Sequence, residues 1–119
     1  MIRDNVLKKK SDFDLVYNKG KSCASKYTVL FYIKNDLSYN RTSFLASKKV
    51  GNSVQRNRAR RLLKEGYRSI SSSLKEGYDF IIIARNTIIS KKEMDVEKSL
   101  KDCFIKAQVL KDEINRKSN

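Results

Sequence analysis

The stretch YDFIIIAR, Tyr78 to Arg85, sets the strongest limit on the fold. From Phe80 to Ala84 every side chain is apolar, so no alternating position is left to face water. That is the pattern of a β-strand covered on both faces, and it calls for a layered domain with helices over a sheet. The flanking segments supply the layers. KYTVLFYI, residues 26–33, is rich in β-branched and aromatic residues and reads as a strand. Tyr27, Val29, Phe31 and Ile33 share one of its faces, and Thr28, Leu30 and Tyr32 the other. KNDLSYN supplies turn residues, and RTSFLASKK, residues 41–49, reads as a returning strand expected to pair antiparallel with 26–33. Phe44 and Ala46 share one face of it; Arg41, Ser43 and Ser47 share the other.

Three segments have helical spacing. SDFDLVYNKG carries Phe13, Val16 and Tyr17 on one side, with Ser11 as expected N-cap, Asp12 and Asp14 near the positive end of the dipole, and Gly20 as the stop. Gly51, Asn52 and Ser53 break the preceding strand and offer caps for a helix running to about residue 70. A last helix is expected from about residue 91 to 114, with Val96, Leu100, Cys103, Phe104, Ala107, Leu110 and Ile114 on its apolar side. The whole chain, 1–119, reads as one small domain with flexible ends at about 1–9 and 115–119.

Lys and Arg number 27 against 13 acids, a formal charge of +14. Self-repulsion on that scale weakens the compact state, so it points to an anionic partner. The N-terminus lacks the apolar core of a secretory signal, and the longest apolar run is too short to span a bilayer. A cytoplasmic protein with no membrane partner is expected, and Cys23 and Cys103 read as free thiols. There is no histidine, which excludes Ser-His-Asp and Cys-His catalysis, and the scattered acids form no two-metal carboxylate pattern. The residues suggest neither a protein catalytic site nor a metal site.

The charge is concentrated in SKKVGNSVQRNRARRLLKEGYR. Residues 48–68 hold eight basic side chains and one acid, Glu65. At about 100° per residue, Ala59, Leu62, Leu63, Gly66, Tyr67 and Ile70 form an apolar stripe, and Asn57, Arg61, Lys64 and Arg68 lie opposite. A merely solvated face mixes signs to gain i,i+4 pairs, and this one barely does. Arg outnumbers Lys five to one between residues 56 and 68, and the guanidinium fork suits phosphates and base edges. The pattern favours nucleic acid.

In this block the chain resembles the protein subunit of bacterial ribonuclease P, whose Arg-Asn-Arg motif follows a Lys-Lys-aliphatic-Gly-Asn lead. Lys48, Lys49, Gly51, Asn52, Arg56, Asn57, Arg58 and Arg61 stand in the matching places. SDFDLVYNKGKS is similar to the family's first helix and turn, and YDFIIIAR to its last strand. The resemblance implies an α+β fold: an α-β sandwich with a four-stranded central sheet, three helices and a left-handed βαβ crossover through the Arg-rich helix, of a type shared with a ribosomal protein domain. General connection rules favour the opposite hand, so this feature comes from the resemblance alone.

The resemblance further implies a ribonucleoprotein that removes 5′ leaders from precursor tRNA, with the active site and Mg²⁺ held by the RNA subunit. No cofactor is then bound by the protein alone. Implied partners are ribonuclease P RNA and precursor tRNA, with no obligate protein partner. Carried over by position, the RNA-subunit-binding residues are Lys48, Lys49, Asn52, Arg56, Asn57, Arg58, Arg60, Arg61, Lys64 and Arg68. The leader-binding residues are Phe13, Tyr17 and Phe31, with Lys26 and Arg41 beside them. Aromatic faces stack on unpaired bases with little sequence demand, while cations follow the backbone. A plainer reading has Phe13 and Tyr17 pin the first helix to the core. The alternative function is a structural RNA-binding protein of ribosomal type.

Overall fold

The computed structural model describes residues 5–111. Its elements run α1 (Lys10–Lys19), β1 (Lys21–Ala24), β2 (Thr28–Lys34), β3 (Arg41–Ala46), α2 (Ser53–Ile70), β4 (Tyr78–Ala84) and α3 (Glu93–Ala107). The four strands form one mixed sheet in the order β1-β2-β4-β3. β1 pairs antiparallel with β2 and β2 with β4, whereas β3 runs parallel to β4. α1 packs on one face, against β2 and β4; α2 and α3 pack on the other and against each other. β3–α2–β4 is thus a βαβ crossover between neighbouring parallel strands.

The expected antiparallel pair of 26–33 with 41–49 does not form. β4 lies between them, with Leu30 opposite Ile82 on one side and Phe44 opposite Ile82 on the other. The most apolar strand takes the position where neighbours cover both edges and helices cover both faces. The turn KNDLSYN crosses over the start of β4 and ties into it. Asn35 N–H donates to the Gly77 carbonyl at 2.8 Å, and Tyr78 N–H donates to Asn40 Oδ1 at 2.8 Å. Alternation along the strands otherwise divides the core as expected, except at Tyr27, which precedes β2 and packs with the cluster under α2 and α3 rather than with Phe31 and Ile33. Leu30, Phe80, Ile82 and Phe44 meet α2 and α3; Phe31, Ile33, Ile81 and Leu45 face α1.

Several boundaries differ from the sequence reading. α1 begins at Lys10, so Ser11 lies inside its first turn, and Lys9 at the cap position offers no side-chain bond. Residues 5–9 belong to the end expected to be flexible, and within them Val6 and Leu7 contact β3. Leu7 is buried, its N–H donates to the Thr42 carbonyl at 3.1 Å, and Val6 bridges Thr42 at the edge of β3. That anchor carries the chain directly into the helix. Gly20 does stop α1, by close approach: a Cβ there would lie 2.5 Å from the carbonyl oxygens of Tyr32 and Val16. β1 is a short polar edge strand that the residue pattern did not reveal. α3 ends at Ala107, with Gln108 at φ 60°, and the chain then turns so that Leu110 bridges Leu74. Ile114 and the expected flexible tail, 115–119, lie outside the described residues.

Candidate nucleic-acid interface

α2 is built as its sequence pattern predicts. Ala59, Leu62, Leu63, Gly66 and Ile70 are buried, and Tyr67 is half-buried. A capping box opens the helix: Gln55 N–H donates to Asn52 Oδ1 and Asn52 N–H to Gln55 Oε1, both at 2.9 Å. Asn52 therefore has a local task, fixing where the helix starts. No acid sits in the first turn, so the positive end of the dipole adds to the field of Lys48, Lys49 and Arg56. Gly66 sits where α2 crosses α3. A Cβ there would lie 2.9 Å from Leu100 Cδ1 and 3.3 Å from Glu97 Cα. The close packing is against that helix, not against the sheet.

The cations of α2 fall into different physical situations. Arg61 and Lys64 are exposed and have no side-chain partner among the described residues. Arg60 donates to the Asn57 side-chain oxygen, Arg56 to Ser53 Oγ at 3.3 Å, and Arg68 reaches Glu65 at 3.4 Å. These are exposed, local contacts that a phosphate can displace. Arg58 differs. Its Nη2 donates to the Lys91 carbonyl at 2.7 Å, holding the loop before α3 against α2.

On the opposite face, Tyr17 stands edge-on to Phe31, with ring centroids 5.0 Å apart and planes at 80°. Tyr17 is 42% exposed, whereas Phe13 is half-buried against the α1-side core. Burial of its ring raises the Tyr17 phenol above its ordinary pKa. Val29, Ile83 and Leu45 lie half-buried on the same sheet face and were not singled out in the sequence. Their signal was the strand alternation itself: a face with one ten-residue helix over four strands leaves part of the sheet uncovered.

Arg41 does not join this surface as a free cation. Its Nε and Nη2 donate to the two carboxylate oxygens of buried Asp79 at 2.8 and 2.7 Å, and Nη1 reaches Asp12 at 3.4 Å. These partners, Asp79 foremost, raise its pKa further. Asn35 Nδ2 also donates to Asp79, at 2.8 Å. The cluster locks β3, β4 and α1 together. Lys26 is exposed but sits in the β1–β2 turn, away from the Tyr17–Phe31 pair. In the register Thr28, Ala84 and Ala46 are level, so Lys26, Arg85 and the Lys48–Lys49 turn leave the sheet at one end. Arg85 Nη1 donates to the Ser25 carbonyl at 2.8 Å there, a cation the sequence reading passed over.

No cluster of three or more His, Cys, Asp or Glu side chains that could hold a metal occurs among the described residues. No helix among them is long and apolar enough to cross a membrane. Cys23 and Cys103 are free thiols that face each other across β1 and α3, Cys23 Sγ donating to the Cys103 carbonyl at 3.2 Å. Burial, then the neighbouring Cys103, pushes the Cys23 thiol up to about 11.

A basic helix face on one layer and an aromatic sheet face on the other define a small α+β RNA-binding protein. The Ribonuclease P family model matches residues 1–108. The chain is 44% identical over 117 residues to the ribonuclease P protein component of Clostridium acetobutylicum, covering 96% of this chain and 98% of that one. It is 46% identical over 101 residues to that of Clostridioides difficile, covering 84% and 89%. Among solved structures, the Staphylococcus aureus RNase P protein superposes with a TM-score of 0.80 at 30% identity, covering 90% of this chain and 98% of that one. The RNase P protein from Thermotoga maritima gives 0.74 at 26%, covering 82% and 92%. The chain belongs to the ribonuclease P protein family. It is the protein component of an endoribonuclease whose catalysis lies in its RNA.

Proposed function

We propose that the outer face of α2 docks on the ribonuclease P RNA while the open sheet face beside α1 holds the single-stranded 5′ leader of precursor tRNA. The observation that carries this reading is the placement of the two surfaces on opposite layers, joined at one end of the sheet by Lys26, Arg85, Lys48 and Lys49. Lys48, Lys49, Arg56, Asn57, Arg60, Arg61, Lys64 and Arg68 meet the RNA subunit; Asn52 and Arg58 shape the helix and its neighbouring loop. Phe13, Tyr17 and Phe31 meet the leader, with Val29, Ile83 and Leu45 as its apolar floor and Lys26 at its rim. Arg41 is left out, because two carboxylates already occupy it. Mg²⁺ stays with the RNA, and the protein cations offset phosphate repulsion where ribozyme and substrate meet. The work is done in the bacterial cytoplasm.

Adding the protein to a bacterial ribonuclease P RNA lowers the Mg²⁺ needed to cleave precursor tRNA; unchanged cleavage by a folded protein sinks the assignment. Tyr17→Ala weakens binding of precursor more than of mature tRNA, by about 1–3 kcal/mol if one base stacks on it. Equal losses on both RNAs return Tyr17 to a packing role.

A further inference from the structure

Between the C-terminal half of α2 and the outer edge of β3, where Val6 bridges Thr42, lies an open groove of about 770 Å³ that the two proposed surfaces do not use as a pocket. Its volume is in the range of sites that take small ligands, roughly 300–1,000 Å³. Tyr39, Phe44 and Tyr67 place aromatic rings on its walls. Lys64, Arg68 and Lys111 stand around it against one carboxylate, Glu76, among the described residues. Thr42 Oγ donates to the Tyr67 hydroxyl at 3.0 Å, so the Tyr67 proton remains to be donated and has no partner among the described residues. Burial raises the Tyr67 pKa, with the Thr42 bond opposing, which keeps that proton on the oxygen at neutral pH.

We infer that this groove receives one unpaired nucleotide of the ribonuclease P RNA. The inference rests on the docking of α2 proposed above and extends it from a charged face to a built pocket. Charge alone would suit any stretch of duplex. A concave site with rings, a hydroxyl donor and cations at the mouth suits a base swung out of its stack, because a flat base buries its faces and a phosphate meets the ammonium and guanidinium groups. Continuity decides the occupant. Lys64 and Arg68 belong both to the groove and to the exposed face of α2, so an RNA strand lying along that face passes directly over the opening.

The test uses the full-length protein bound to its RNA. Ser72→Cys, at the groove, and Val54→Cys, exposed on α2 in line with Arg61, are each labelled with a photoactivatable azide. The label goes to the new cysteine because Cys103 is buried and the Cys23 thiol is held protonated. The expected result is cross-linking from both positions, with adducts from Cys at position 72 mapping to nucleotides unpaired in the RNA. Cross-links from position 54 alone overturn the groove and leave the docking intact; cross-links from neither overturn both. Adducts from position 72 confined to base-paired stems also overturn the proposal. Tyr39→Ala, which removes no core side chain, lowers RNA affinity by about five- to a hundredfold while leaving the salt slope unchanged, because stacking releases no counterions. Unaltered affinity in a variant with wild-type melting refutes a stacked base.

Discussion

Arg58 and Arg61 differ by three positions in sequence and by their whole physical situation in the fold, and separate substitutions expose the difference. Arg61 is exposed and unpartnered among the described residues, so Arg61→Ala removes one charge and little else. Folding stability then changes by no more than about 0.5 kcal/mol. If Arg61 neutralises one phosphate, the log–log salt slope of RNA binding becomes shallower by about 0.7–0.9. Arg58 is half-buried and gives a charge-assisted bond to the Lys91 carbonyl at 2.7 Å. Bonds to charged groups contribute about 1.5–3 kcal/mol, and partial exposure puts this one near the lower end, about 1.5. At about 2.1 cal/mol/K per residue of unfolding entropy, a chain of 119 residues loses about 6 °C in Tm. Thermal melts of both variants, with binding measured across a salt series, decide the matter. Arg58→Ala should melt early and keep most of its salt slope; Arg61→Ala should melt as wild type and lose slope. An unshifted melt for Arg58→Ala, with a slope loss equal to that of Arg61→Ala, refutes the division and makes both plain RNA contacts.

Arg41→Ala strands the buried Asp79 carboxylate with Asn35 as its remaining side-chain donor and should cost about 3 kcal/mol by urea unfolding. A loss of leader affinity with wild-type stability would show instead that Arg41 reaches the substrate. Gly66→Ala gains about 1 kcal/mol in helix propensity but presses on Leu100 and the Glu97 backbone, an overpacking of about 1–3 kcal/mol, so the variant should be the less stable. A raised Tm would mean that α3 moves aside freely. At pH 8 the Cys23 thiol, pushed up to about 11 from 9.0, should alkylate about a hundredfold more slowly in the native than in the unfolded chain. The same shift favours the folded state fully below pH 9 and ceases to do so as pH rises through about 11, so Cys23→Ala should flatten the alkaline loss of Tm.

Much of the architecture was legible because it follows from local periodicity. Ala59, Leu62, Leu63, Gly66 and Ile70 fall where a 3.6-residue repeat puts them, and alternation assigned Leu30 and Phe31 to opposite faces. What was not legible depends on residues distant in sequence. Nothing in 26–33 or 41–49 announces that β4 will separate them; the contest between a hairpin and a central apolar strand is settled by burial over the whole sheet. Leu7 looked like part of a charged tail because its partner, Thr42, is remote. β1 escaped notice because an edge strand of four residues needs no apolar pattern.

The arginines show the same limit within the site. Composition counts Arg41, Arg58 and Arg61 as equal positive charges. The fold spends the first on a buried carboxylate, ties the second to a backbone carbonyl, and leaves the third facing solvent. A guanidinium suits all three tasks for one reason: its planar fork makes several directional bonds without giving up its charge. Lysine, a flexible point charge, could replace Arg61 with little loss in a phosphate field, yet it could not span both oxygens of Asp79. The bias toward Arg between residues 56 and 68 therefore has a source besides the RNA docking proposed for α2. That source is Arg58, whose reach to Lys91 fixes the loop beside α2 and so the shape of the surface that the exposed cations present.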